Sequence, residues 1–106
     1  MMPKIVEVQD VIATREFVYV SATGEREIAI IEIGKPYQFD NEAFICPYRL
    51  GSKSYEKIFG MVGIDSLQAL QLTVQTLESE LAYWLRKNGG SFEFLDEPGS
   101  GVSENA

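Results

Sequence analysis

From Arg15 to Ser21 the chain reads Arg-Glu-Phe-Val-Tyr-Val-Ser, the β-branched and aromatic run that strands favour. Ala22-Thr23-Gly24-Glu25 supplies a glycine-containing turn, and a second apolar run, Arg26 to Ile33, completes a β-hairpin. Both runs are apolar on both faces: Phe17 and Tyr19 against Val18 and Val20, then Ile28 and Ile30 against Ala29, Ile31 and Ile33. A sheet with one wet face would alternate apolar and polar positions. These strands are therefore expected at the centre of a sheet, or beneath a cover on its second face. Upstream, Ile5, Val6, Val8, Val11 and Ile12 fit either a short edge strand or a lead-in.

Gly34-Lys35-Pro36 ends the second strand, and Pro36 to Glu42 reads as a polar loop carrying Tyr37 and Phe39. A third strand, Ala43 to Leu50, places Phe44, Cys46, Tyr48 and Leu50 on one side. Pro47 cannot donate to a ladder, which predicts an edge strand or a bulge. After a Gly51-Ser52-Lys53-Ser54 turn, a fourth strand runs from Tyr55 to Val62. It has Tyr55, Lys57, Phe59 and Met61 on one side and Ile58 and Val62 on the other.

Leu67, Leu70, Val74, Leu77, Leu81 and Leu85, with Trp84 beside them, recur at steps of three and four and predict a helix from Ser66 to Asn88. Asp65 is placed to cap it, Gln68 to complete a capping box, and Ile64 to act as a hydrophobic staple. Arg86 and Lys87 suit the negative end of the dipole, and Asn88-Gly89-Gly90 gives a left-handed stop. Such a helix is about 35 Å long against about 20 Å for a typical strand, so its end near Trp84 should overhang the sheet. Phe92 to Leu95 is the natural cover, as a fifth strand or a strap. Off the main stripe lie Ala69, Leu72, Thr76 and Tyr83; Leu72 and Tyr83 would be exposed there and are candidates for self-association. The expected fold is α+β: a four- to five-stranded antiparallel meander with one long C-terminal helix packed on one face. Residues 1–95 form a single domain in this reading, and 96–106 a flexible acidic tail.

A chain of 106 residues, 45% hydrophobic and 24% charged, suffices for one core without covalent staples. No apolar run approaches the roughly 20 residues of a membrane span. Met1-Met2-Pro3-Lys4 lacks the apolar stretch of a secretory leader, and one cysteine offers no disulfide framework, so a cytoplasmic protein is expected. A net charge of −7 repels phosphate and disfavours nucleic acid and anionic membranes as partners. Histidine is missing altogether, which removes the commonest general base and His-ligated zinc. Gly60-Met61-Val62-Gly63 lacks the spacing and the Lys-Ser/Thr of a phosphate loop. Catalytic residues, metal and cofactor are all expected to be none. Cys46 reads as a small buried hydrophobe.

Cys46-Pro47-Tyr48-Arg49, followed by a strand and then by Gly63-Ile64-Asp65-Ser66-Leu67-Gln68-Ala69-Leu70, resembles a family of small bacterial proteins of unknown function. They share a Cys-Pro-Tyr strand and a Gly-x-Asp-Ser-x-Gln-Ala-Leu helix start. Ile33-Gly34-Lys35-Pro36 resembles their x-Gly-x-Pro segment, and the likeness covers about residues 15–85. It implies a meander followed by one helix and carries no catalytic residues.

Small size, acidity and exposed aromatics together suggest a non-enzymatic binding protein, in particular an immunity protein that neutralises a basic toxin domain through electrostatic steering. Candidate contacts are Tyr37, Asp40 and Glu42 of the acidic loop, with Glu25 on the hairpin turn. The alternatives are a homodimeric structural or regulatory domain and a small-ligand binder or enzyme. The last should show a deep pocket with converging polar groups.

Overall fold

The structure, a computed structural model, describes residues 4–102. The expected hairpin forms from β1 (Val11–Val20) and β2 (Arg26–Gly34), which pair antiparallel from Val20↔Arg26 to Val11↔Gly34. There follow β3 (Tyr37–Gln38), β4 (Phe44–Gly51), β5 (Glu56–Gly63), α1 (Ser66–Asn88), β6 (Ser91–Phe94) and β7 (Glu97–Pro98). The strand order is β3-β4-β2-β1-β6-β7, with β5 on the opposite edge of β4. The sheet has seven strands, not four to five. β3, β6 and β7 are too short to show a two-residue period, and partners rather than pattern create them.

Pro47 sits on neither an edge strand nor a bulge. β4 is central: β5 runs along one side, while β3 and β2 share the other, pairing at Phe44–Ile45 and at Tyr48–Gly51. Pro47 falls in the gap between those two pairings, where a missing donor costs the ladder least.

β1 and β2 are central, as their two apolar faces predict. Phe17, Tyr19, Ala29, Ile31 and Ile33 face the helix side and are buried with Cys46, Tyr48 and Leu50 of β4. Among the described residues the second face is covered at one end only. There Ile5 reaches over β4 and β5: a Cβ on Gly60 would stand 2.5 Å from Ile5 Cδ1 and 2.7 Å from Ile45 Cδ1, so only glycine lets the lead-in approach, and Ile45 is fully buried. Further along the same face Ile28 is 71% exposed. Arg49 bridges Glu32 (2.9 Å) and Glu56 (2.7 Å) across three strands of that face.

The helix has its predicted bounds. Asp65 accepts the Gln68 N–H at 2.7 Å, and Gln68 Oε1 accepts the Ile64 N–H, one residue outside the usual capping box. Ile64 stays 75% exposed and does not staple the first turn. Gly89 stops the helix at φ 73°, its N–H bonded to the Leu85 carbonyl.

The face it buries is only partly the predicted one: Leu70 and Leu85 of the leucine stripe pack against the core, but the stripe's outer edge does not. Ala69, Thr73, Leu77, Glu80, Leu81 and Trp84 are buried, while Leu67 and Val74 are 61% and 50% exposed. At 100° per residue the buried stripe is rolled about 60° from the leucine stripe. Ala69, expected on the outer side, is therefore core.

Trp84, at the helix end expected to need cover from Phe92 to Leu95, is enclosed with Phe92 against it. Tyr55 stacks on it with centroids 4.9 Å apart, and Phe17, Tyr19 and Phe92 complete the cluster. Phe92 arrives on β6, which pairs with the end of β1 through Val18↔Glu93 and Val20↔Ser91. From Asp96, where a tail was expected, the chain instead turns into β7, buries Ser100 and packs Val102 against the core. Residues 1–3 and the tail's 103–106 lie outside the described residues.

The β6–β7 turn is made by Leu95 and Asp96 at φ 53° and 63°. Two left-handed residues are the signature of the tight turn that prefers Asn-Gly, and leucine is strained there. Leu95→Asn should stabilise the protein by about 1 kcal/mol, a rise of a few degrees in Tm. Thermal melts followed by circular dichroism check this; an unchanged or lower Tm contradicts it.

Candidate functional site

Two features stand out on the helix side of the sheet: a polar knot beneath α1 and an apolar groove beside it. The knot centres on Glu80, which enters the core because the rolled helix turns it toward β4 and β5. Its carboxylate accepts a short hydrogen bond from the Tyr48 hydroxyl and one of 2.8 Å from Lys57 Nζ. Lys57 also lies 5.6 Å and 5.8 Å from the ring centroids of Phe59 and Tyr83. Burial first, and then the hydrogen bond to Glu80, push the Tyr48 hydroxyl far above the usual phenol range. Burial also raises Tyr55. The Tyr48 hydroxyl thus holds its proton firmly at neutral pH. Its acid, its cation and its hydroxyl are engaged with one another, which suits a clasp between helix and sheet.

Cys46 lies at the centre of the same layer, fully buried, its Sγ 3.4 Å from the Gly34 carbonyl. Burial raises its thiol, the opposite of what a nucleophile needs. Among the described residues no group of three or more His, Cys, Asp or Glu stands close enough to hold a metal ion.

The groove follows from the roll of the helix. α1 lies over β4 and β5, so the helix side of β1 and β2 is only partly roofed. Val74 and Leu77 form one wall, Ala13, Ile31 and Ile33 the floor with Thr14 and Arg15, and Gly101 and Val102 the end. The space is about 270 Å³, widely open and mainly apolar. Leu67 and Val74, left out of the core, continue the apolar surface along the helix.

The residues singled out from sequence are not brought together into one site. Tyr37 lies on β3, 43% exposed, and lines a cleft of about 480 Å³ with Lys4, Ile5, Asp10, Lys35 and Pro36. Asp40 and Glu42 are exposed nearby, and the Asp40 carboxylate accepts the Glu42 N–H at 2.9 Å to shape the loop. Glu25 lies in the β1–β2 turn, beyond the Val20↔Arg26 end of a ladder whose other end, Val11↔Gly34, adjoins that loop. The full length of the hairpin separates Glu25 from the other three. Tyr83 is 41% exposed and Leu72 half-buried, both on the helix flank beside β5. Glu80, Val74 and the groove floor escape a sequence reading. The available signal was a carboxylate set among Leu77, Leu81 and Trp84, which says that the stripe's phase is not the leucine phase.

Fold and site together define a small α+β protein whose surface features are an apolar groove and open sheet edges. The chain belongs to the family described as a domain of unknown function (DUF6968), whose match spans residues 13–103. Searches of the curated proteins and of the solved structures return no match. No helix among the described residues is long and apolar enough to cross a membrane.

Tyr48, Tyr55 and Cys46 all hold their protons more tightly folded than unfolded. Their contribution is therefore complete below the unfolded values and lost as pH rises past them. Stability should fall from about pH 9, the ordinary thiol value, and more steeply past 10, the ordinary phenol value. Tyr48→Phe should cost about 1–3 kcal/mol at neutral pH and flatten the alkaline fall. Urea denaturation of both proteins between pH 7 and 11 tests this, and equal alkaline slopes would refute it.

Proposed function

We propose that this protein acts by binding another protein through the groove between α1 and the β1–β2 hairpin, without catalysing a reaction. The carrying observation is the misfit between the helix's leucine stripe and the face it buries. Val74 and Leu67 remain open beside the partly roofed floor of Ala13, Ile31 and Ile33. Apolar surface left open along a helix and continuous with a sheet floor suits the apolar face of a partner segment. The groups with chemical potential support the same reading, since Glu80 is occupied by Tyr48 and Lys57 and Cys46 is sealed in the core.

The net charge of −7 selects the partner's sign: a basic protein would associate quickly and in a salt-dependent way. An immunity protein that neutralises a basic toxin domain is the specific form we infer. Tyr37, Asp40 and Glu42 lie at the far end of the hairpin from Glu25, where the two carboxylates would steer such a partner rather than seat it and Tyr37 would offer an aromatic contact beside them.

The test is affinity capture from the native host with the wild-type chain and Val74→Asp, a half-exposed position whose change should leave Tm within a few degrees. A basic partner held by wild type, released by raised salt and weakened at least about tenfold by Val74→Asp is the expected result. A partner that both chains retain equally, or capture of chaperones alone, would count against this reading.

A further inference from the structure

We propose that the outer edge of β5 is a self-association surface, and that its partner is the β5 of a second copy, paired antiparallel about Gly60. This surface lies on the opposite flank of α1 from the groove and does not depend on it. All eight residues of β5 pair with β4 on one side, from Gly51↔Glu56 to Phe44↔Gly63, and no described strand pairs with the other. The remaining edges are guarded. β3 and β7 are each two residues long, β7 ending in Pro98, and the part of β1 beyond β6 has a register irregularity between Val11 and Ala13 and carries Arg15 and Glu16. Proline, bulges, charges and brevity are how sheets protect their edges. The centre of β5, Ile58-Phe59-Gly60-Met61-Val62, has none of these.

That segment is also symmetric in character about Gly60. In the antiparallel register centred there, Ile58 opposes Val62 on one face and Phe59 opposes Met61 on the other, so each apolar residue meets an apolar one. A two-fold interface requires such self-complementarity. The helix flank above the edge extends the match. Gln68, Leu72, Gln75, Thr76, Ser79 and Tyr83 share it at about 100° per residue. None of these six positions is charged, so the middle of the strip brings no like charges together when two copies approach.

The charges at the ends then decide in favour of a second copy. α1 runs antiparallel to β5, which puts Lys57 and Arg86 at one end of the strip, both within 5.8 Å of the Tyr83 ring, and Asp65 at the other. A two-fold axis through Gly60 sets the cationic end of each copy beside the anionic end of its mate. At the cationic end Glu56 is engaged by Arg49 and Lys57 by Glu80, so Arg86 carries the charge that faces Asp65 of the second copy.

Sedimentation velocity of the full chain at micromolar concentration should give twice the 11.9 kDa chain mass. Amide exchange along residues 56–63 should slow as concentration rises. Phe59→Lys and Tyr83→Glu should each raise the dissociation constant at least about thirtyfold, the size of a hot-spot loss. Tyr83 is exposed, so Tyr83→Glu remains informative even if Phe59→Lys folds poorly. A monomer at these concentrations, or a dimer unaffected by Tyr83→Glu, overturns the proposal. Val74→Asp should leave the dimer intact, which keeps this outcome separate from that of the groove.

Discussion

The Glu80 carboxylate fixes the rest of the arrangement. A buried acid must find donors, and the two within reach are the Tyr48 hydroxyl on β4 and the Lys57 ammonium on β5. Meeting both places α1 over β4 and β5 and rolls it so that Glu80 points down beside Leu77, Leu81 and Trp84, while Leu67 and Val74 turn outward. Thr73 follows the same orientation, with Oγ1 bonded to the Ala69 carbonyl at 3.0 Å and 3.4 Å from the Cys46 carbonyl. Polar anchors specify orientation in a way that interchangeable leucines do not.

Once the helix is rolled and displaced, the aromatic residues explain how β1 and β2 remain part of the core. Trp84 reaches from α1 toward β1, where Phe17 and Tyr19 meet it and Phe92 closes from β6. The Tyr19 hydroxyl donates to the Gly89 carbonyl at 2.7 Å, joining helix end to hairpin. At Gly90, φ 91°, any Cβ would collide with the Val20 carbonyl oxygen. The glycine pair is thus both a stop and a passage by which β6 reaches β1. The indole N–H of Trp84 has no acceptor among the described residues, a cost that the surrounding ring contacts offset.

What the sequence discloses divides along local and nonlocal lines. The helix bounds were legible because Asp65, Gln68 and Gly89 act on neighbouring backbone. The hairpin was legible for the same reason, through Gly24 and the flanking β-branched runs. The roll of α1 was not, because it depends on Tyr48 and Lys57, distant in sequence, and because a carboxylate counts as polar in any periodicity. Pro47 misled because its neighbours on β4 were unknown. Asp96 to Val102 misled by composition: Pro98, Gly99 and Gly101 look like disorder, yet Leu95 and Asp96 fold the segment back on β6. At the candidate site, Tyr83 and Leu72 were legible as residues off the stripe, whereas the groove required knowing which half of that stripe is left outside.

The widths of the elements lead to the same two surfaces. A helix is about 10 Å across and strands lie about 4.8 Å apart, so one helix roofs roughly two strands. With seven strands and one helix, most of the roof must come from elsewhere. The aromatic cluster covers the β6 end, and Val102 covers part of β1. Between them and α1 the floor of Ala13, Ile31 and Ile33 is left partly open. A helix centred on the sheet would close that gap but would pull Glu80 away from Lys57. The groove and the bare β5 edge are therefore the two sides of one choice, the anchoring of a single helix at one border of a wide sheet.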